Sequence, residues 1–325
     1  MGDWIEGSGA AYRFNSAYFG HLPSEDLVQI RHNLNSVLED RGYETALPAR
    51  PQIVVRGPVD LIPATRNERR APEKLGEVLS PAQVKTFLDC SARWWFKHGL
   101  LLPEPKNSSL ALGLAIHSAL ETNFREKLAT RQDIETPLMI SLFQDRWREQ
   151  MGDTEFRDDE EPGALGKTGE RMVRKYMEEA AGSVQPAAVE LEVAGQINQV
   201  PVRGRVDLID IRGRIVDFKT AARRPTSVSP DYAFQLATYG QITPGANGEA
   251  QLDTLVRTQT VQLVRMSYRI GEQDLLATRT LYPLVQEGIR SGLYYPNRQS
   301  MLCGRKRCAF WRHCQREFGG SVRET

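Results

Sequence analysis

Asp207, Asp217 and Lys219 stand close together in the run Gly204-Arg205-Val206-Asp207-Leu208-Ile209-Asp210-Ile211-Arg212-Gly213-Arg214-Ile215-Val216-Asp217-Phe218-Lys219-Thr220. Side chains alternate faces along a strand, so Asp217 and Lys219 point the same way, and a tight turn at Arg212-Gly213 brings Asp207 alongside them. Hard divalent ions such as Mg²⁺ and Mn²⁺ prefer oxygen ligands, and paired carboxylates beside a phosphodiester suit one or two of them. Such an ion polarises the phosphoryl oxygen, activates a water and steadies the leaving alkoxide. Lys219 would orient that water and offset charge in the transition state. The bland alternative is an exposed hairpin decorated with charges. Against it, Val206, Leu208, Ile215, Val216 and Phe218 are apolar enough to bury the hairpin, which makes the carboxylates costly unless a metal or partner satisfies them.

A second cluster is softer in chemistry. Cys90 stands alone, whereas Cys303, Cys308 and Cys314 crowd into a short basic segment. In a reducing compartment such thiols serve metal or cluster ligation better than disulfides. One distant and three clustered thiolates can complete an iron–sulfur cluster. Zinc also accepts four thiolates, although its ligands usually come as close pairs. Either metal would clip Cys90 to the C-terminal segment. Arg203, Arg205, Arg212, Arg214, Arg223 and Arg224 surround the acidic hairpin, and Arg305, Lys306, Arg307, Arg312 and Arg316 surround the cysteines. Guanidinium groups grip phosphates, and Trp94, Trp95 or Trp311 would either stack bases or pack around the cysteines.

The elements that must hold these groups follow from patterning. Ser80-Pro81 is a good helix start, leading to Cys90 and Trp94-Trp95-Phe96. Leu112 to Leu128 reads as a helix with His117 and Glu121 on one face. Helices are expected again around Pro137 to Met151 and Lys167 to Ala181. Strands are expected at Val189–Val193, Val200–Asp210, Arg214–Thr220 and Thr258–Tyr268, with helices at Tyr232–Gly240 and Gln273–Ser291. That order suits an α/β core with a mixed sheet flanked by helices. Gly166-Lys167-Thr168 is not a phosphate loop, because Glu161 stands where the motif needs glycine and no strand precedes it.

Four segments taken in order resemble the RecB-like PD-(D/E)xK nucleases, whose fold is a restriction-endonuclease-like core. They are Gly113-Leu114-Ala115-Ile116-His117-Ser118-Ala119-Leu120-Glu121, Gly204-Arg205-Val206-Asp207, Asp217-Phe218-Lys219-Thr220 and Gln235-Leu236-Ala237-Thr238-Tyr239. The resemblance spans about Ser80 to Cys314. It implies that His117, Asp207, Asp217 and the Phe218 carbonyl are metal-site groups for Mg²⁺ or Mn²⁺. It makes Lys219 catalytic and sets Gln235 and Tyr239 by the DNA and the catalytic site. The cysteine arrangement is similar to the iron–sulfur subgroup, which includes AddB-type and CRISPR-adaptation nucleases. By that likeness Cys90, Cys303, Cys308 and Cys314 would hold a four-iron four-sulfur cluster. Ser91 departs from the proline usual after the first cysteine.

Size and composition admit this reading. The chain has 325 residues, 40% hydrophobic and 26% charged, with a formal net charge of +1. It is long enough for a sizeable core, and its balance says nothing by itself about nucleic acid. Met1-Gly2-Asp3-Trp4-Ile5-Glu6 does not resemble a signal peptide. No stretch approaches the roughly 20 apolar residues of a membrane span, so a cytoplasmic protein is expected. Residues 1–79 read as an extension of unknown role, with an amphipathic helix beginning near Ser24 and carrying Leu27, Ile30, Leu34, Val37 and Leu38. Residues 80–325 read as the nuclease domain. The expected function is a divalent-metal-dependent deoxyribonuclease, an exonuclease on single-stranded DNA or frayed ends. The alternative is a nucleic-acid-binding recombination or CRISPR-adaptation subunit acting through a partner complex. No helicase motor is visible, so unwinding would need a partner.

Overall fold

The computed structural model describes residues 75–324 together with two short strands, β1 (Ile5–Glu6) and β2 (Arg13–Phe14), which pair antiparallel. The helix expected from Ser24 lies outside the described residues. The chain divides into two units, Met1–Asn67 and Glu68–Thr325, and every candidate site residue lies in the second.

Helix α1 (Pro81–Asp89) starts as its sequence dictates, with the Ser80 hydroxyl accepting the Gln83 N–H and proline at the first helical position. Cys90 then caps the short α2 (Ser91–Trp94), which runs into a π-turn over Trp95–Gly99. Strand β3 (Lys106–Asn107) leads into α3 (Ser108–Thr130), where Asn107 accepts the Leu110 N–H at 2.9 Å. Next come α4 (Thr136–Met151), β4 (Thr154–Glu155) and α5 (Pro162–Glu179). Helix α5 therefore begins before Lys167, because Pro162 can open a helix and the acidic run ends there.

The main sheet contains β5 (Pro186–Ile197), β6 (Val200–Asp210), β7 (Ile215–Ala221), β8 (Glu249–Val256) and β9 (Gln262–Arg269), in that spatial order. All neighbours are antiparallel except β7 and β8, which run parallel because α6 (Pro230–Ile242) carries the chain across between them. Helices α7 (Glu272–Arg290) and α8 (Trp311–Phe318) complete the unit. Helices α3, α4 and α5 form one apolar layer with Val216, Phe218 and Leu255 of the sheet. On the other face, α1, α6 and α7 pack with Val193, Val202, Val206 and Ile215. The mixed sheet with helices on both faces matches the expectation. Strand β8 was not anticipated: it is buried along nearly its whole length, so it lacks the alternation that marks a half-exposed strand. Among the described residues no helix is long and apolar enough to cross a membrane.

Two turns fix the register that matters. Asn198 and Gln199 both adopt left-handed φ, and Ile197 pairs with Val200 across this two-residue hairpin. At the other end of β6, Gly213 has φ +79°, and a Cβ there would meet the Gly245 carbonyl oxygen at 2.5 Å. The Asp210 carboxylate takes the Arg212 and Arg214 N–H groups and closes that turn.

Candidate active site

The β6–β7 ladder is short: Leu208 pairs with Val216 and Ile209 with Ile215, and pairing then stops. Continued, it would set Asp207 opposite Asp217. Instead the Asp207 carboxylate enters the gap, where Oδ2 accepts the Phe218 backbone N–H at 2.8 Å. A side chain thus replaces a ladder bond, and the carboxylate is held by a backbone donor that cannot rotate away. His117 projects from α3 and places Nδ1 3.6 Å from the same oxygen.

Asp217 and Lys219 share one face of β7, as strand alternation requires. Asp217 is only 2% exposed. Its Oδ1 accepts from Gln235 Nε2 at 3.3 Å, and that amide nitrogen also reaches the Tyr239 hydroxyl at 3.3 Å. Asp217 Oδ2 lies 2.5 Å from Lys219 Nζ, as an ion pair whose alignment is not that of a hydrogen bond. The Lys219 ammonium also sits 5.2 Å from the centre of the Tyr232 ring. Gly204 allows Tyr239 its place, since a Cβ there would lie 2.5 Å from the Tyr239 ring. Phe218 turns its ring into the helical layer against Phe124 and Tyr176. The structure therefore brings His117, Asp207, Asp217, Phe218, Lys219, Gln235 and Tyr239 to one place.

One member was not found by sequence reasoning. Among the described residues, a single set of three potential metal ligands has its donor atoms all within 4.8 Å of one another, and it comprises His117, Glu190 and Asp207. Glu121, one turn beyond His117, is instead bonded to Arg125 at 2.8 Å. Glu190 stands opposite Asp207, because Val189 pairs with Leu208 and Leu191 with Val206. Its φ of +48° is unusual for a non-glycine residue inside a strand. The signal was the Asn198-Gln199 turn: counting back along the hairpin it sets arrives at Glu190.

The electrostatics follow from burial and crowding. Burial pushes the Glu190 carboxyl from an ordinary 4.5 up to about 7, and the neighbouring Asp207 and Glu121 charges push the same way. Burial likewise pushes Asp217 up to about 6 against the pull of Lys219, with Asp207 adding to the rise. For Lys219, burial works against the charge, but Asp217 and then Asp207 outweigh it and hold the ammonium's pKa above its ordinary value. This is a concentration of negative charge short of cations, which a divalent ion held by hard oxygens and an imidazole would relieve.

The four cysteines are free thiols, and all four line one cavity together with Asp89, Arg93, Arg298 and Trp311. No three of their sulfurs lie within 4.8 Å of one another. Burial raises the Cys308 thiol and pushes Cys314 up to about 11, with the neighbouring thiols contributing in both.

Several expected DNA contacts are otherwise engaged. Arg205 is held by Glu192 at 3.0 Å and lies near Glu190, while Arg214 serves Asp210 in the hairpin turn. Trp94 and Trp95 are buried and stack on Tyr294, so they pack the fold and present no face to a base. Trp311 differs, with the guanidinium groups of Arg305 and Arg312 lying 4.9 and 5.2 Å from its ring centre.

Residues 78–315 match the family profile described as the PD-(D/E)XK nuclease superfamily. Among solved structures, a candidate exonuclease from Eubacterium rectale aligns at 15% identity with a TM-score of 0.50, covering 73% of this chain and 88% of that one. Its likeness extends to the fold. SSO0001 aligns at 11% identity and a TM-score of 0.32, over 74% of this chain and 96% of that one, and carries no argument. No curated protein matches.

Proposed function

The chain belongs to the PD-(D/E)XK nuclease superfamily, and on that premise we propose that it is a divalent-metal-dependent deoxyribonuclease acting as an exonuclease on single-stranded or frayed DNA ends. The observation that carries this reading is the Asp207 carboxylate, pinned by the Phe218 amide between His117 and Glu190 on one side and the Asp217–Lys219 pair on the other. Mg²⁺ or Mn²⁺ fits the donor set, with carboxylates, an imidazole and, in this reading, the Phe218 carbonyl as ligands. When bound, the ion would polarise a phosphoryl oxygen and lower the pKa of an attacking water.

The protein's own groups do the rest. Asp207 enters already oriented, so little of its conformational freedom is lost on binding. Lys219 is locked between Asp217 and the Tyr232 ring, and its ammonium offsets charge that grows on the phosphoryl oxygens. Gln235 links Asp217 and Tyr239 in one chain of hydrogen bonds and so fixes the orientation of the Asp217 carboxylate. The complete acid and lysine set favours an enzyme over a recombination or adaptation subunit that only binds nucleic acid. The exonuclease part of the reading draws on the description given to the Eubacterium rectale structure.

The cysteine cavity is read as the seat of a four-iron four-sulfur cluster. A tetrahedral zinc with bonds of about 2.3 Å requires sulfurs ~3.8 Å apart. Here every trio of the cysteine sulfurs has at least one pair beyond 4.8 Å, and all four line one cavity, which leaves room for iron and sulfide between the thiolates. Burial keeps the Cys308 and Cys314 thiols protonated, so a metal bound there would release their protons. Residues 1–79 remain, in this reading, an extension that precedes a nuclease domain over 80–325 in the sequence. Incubating the protein with 5′- and 3′-end-labelled single-stranded and duplex DNA, with and without Mg²⁺ or Mn²⁺, tests the activity. Stepwise loss of label from one end supports the proposal, and intact DNA under every condition opposes it.

A further inference from the structure

Two arginines are conspicuous for what they leave unpaired. Among the described residues, Arg93 Nε and Arg298 Nη1 are the buried guanidinium nitrogens without a hydrogen-bond partner. Both side chains line the cysteine cavity, although one comes from α2 and the other from the loop after α7. Each is anchored by its other arm. Arg93 Nη2 meets Glu104 at 2.5 Å, a carboxylate that also takes Lys97, and Arg298 Nη2 donates to the Gly319 carbonyl at 2.5 Å. Buried donors on a charged group are rarely left without an acceptor in a native fold. Two such donors around one cavity call for an anionic occupant there.

We propose that Arg93 and Arg298 belong to the cofactor site itself, as paired guanidinium donors that neutralise a thiolate-bound cluster and raise its reduction potential. The inference rests on the cluster reading above. Four thiolates make the bound cluster an anion, and uptake of one electron adds a further negative charge with no bond formed or broken. Fixed cations beside it stabilise the reduced form more than the oxidised one, which moves the potential upward. Because both guanidinium groups are tethered, their charge stays when the cluster changes state.

The test uses the full chain purified anaerobically, with iron and acid-labile sulfide assayed first and the midpoint potential then measured by visible absorbance and electron paramagnetic resonance. Arg93→Gln and Arg298→Gln should each load and show a lower potential than the parent, and the double variant a lower one still. Arg298→Lys, which keeps a charge in a different shape, should fall less than Arg298→Gln. Loaded Gln variants with the parent's potential would overturn the inference while leaving the cluster in place. A parent protein without sulfide would overturn the cluster reading and this inference with it. If a Gln variant folds but takes up no sulfide, loading of Arg298→Lys shows that charge is what the site requires; failure of both shows that packing holds it, and the inference falls.

Discussion

Replacing Glu190 with glutamine should stabilise the metal-free protein above neutral pH and weaken its response to metal. Glu190 is 13% exposed, and its carboxyl is raised from 4.5 to about 7 in the fold. Between those values the folded protein keeps a proton that the unfolded chain releases. Stability therefore falls as the pH rises, and the full penalty stands above about pH 7. The shift corresponds to at most about 3 kcal/mol, and screening by Arg205 and solvent brings this to about 1–2 kcal/mol. For a domain of this size each kcal/mol moves the Tm by roughly 2–4 °C, so Glu190→Gln should melt about 2–8 °C higher than the parent in EDTA at pH 8. The difference should shrink toward zero near pH 4.5. Added Mn²⁺ should raise the parent's Tm and move the variant much less, because the amide has lost a charged ligand. Scanning calorimetry across a pH series, with EDTA or Mn²⁺, reads both effects. Equal Tm values at pH 8, or a difference independent of pH, would refute the assignment of Glu190 to a crowded, metal-seeking cluster.

Other perturbations separate the remaining roles. Lys219→Met should lower cleavage about a thousandfold or more while DNA affinity in Ca²⁺ changes little, since the ammonium serves the transition state; steady-state rates beside binding isotherms check this. Cys308→Ala should lose iron and acid-labile sulfide together and loosen the C-terminal segment, read by metal analysis and limited proteolysis. Arg305, Lys306 and Arg307 changed together to alanine should flatten the salt dependence of DNA binding by up to about three units of log–log slope. Arg305 is partly engaged by Glu324 and Arg307 by the Met301 carbonyl, so an unchanged slope would move the DNA path elsewhere.

The parts legible in the sequence are those set by local rules. Strand alternation paired Asp217 with Lys219, helical spacing grouped Gln235 with Tyr239, and Ser80-Pro81 announced α1. What escaped depended on tertiary context. Glu190 reads as one solvent-facing charge in Val189-Glu190-Leu191-Glu192-Val193, and only register across the hairpin turns it toward Asp207. Strand β8 hides because two neighbours and both helical layers bury it, which erases the period of two. Its Asp253 survives there through Arg265 and Tyr176, a network that no local pattern announces. Trp94 and Trp95 could have faced DNA by composition alone, but Tyr294 arrives from far along the chain to stack on them.

The most direct test compares wild type with Asp217→Ala on end-labelled single-stranded DNA in Mg²⁺ or Mn²⁺. Asp217 is the buried carboxylate that holds both Lys219 and Gln235, and its loss breaks that arrangement without touching the cysteine cavity. Wild type should degrade DNA only with the divalent ion, and Asp217→Ala, folded and still binding DNA, should not. Metal-dependent degradation at the wild-type rate by purified Asp217→Ala would contradict the central claim.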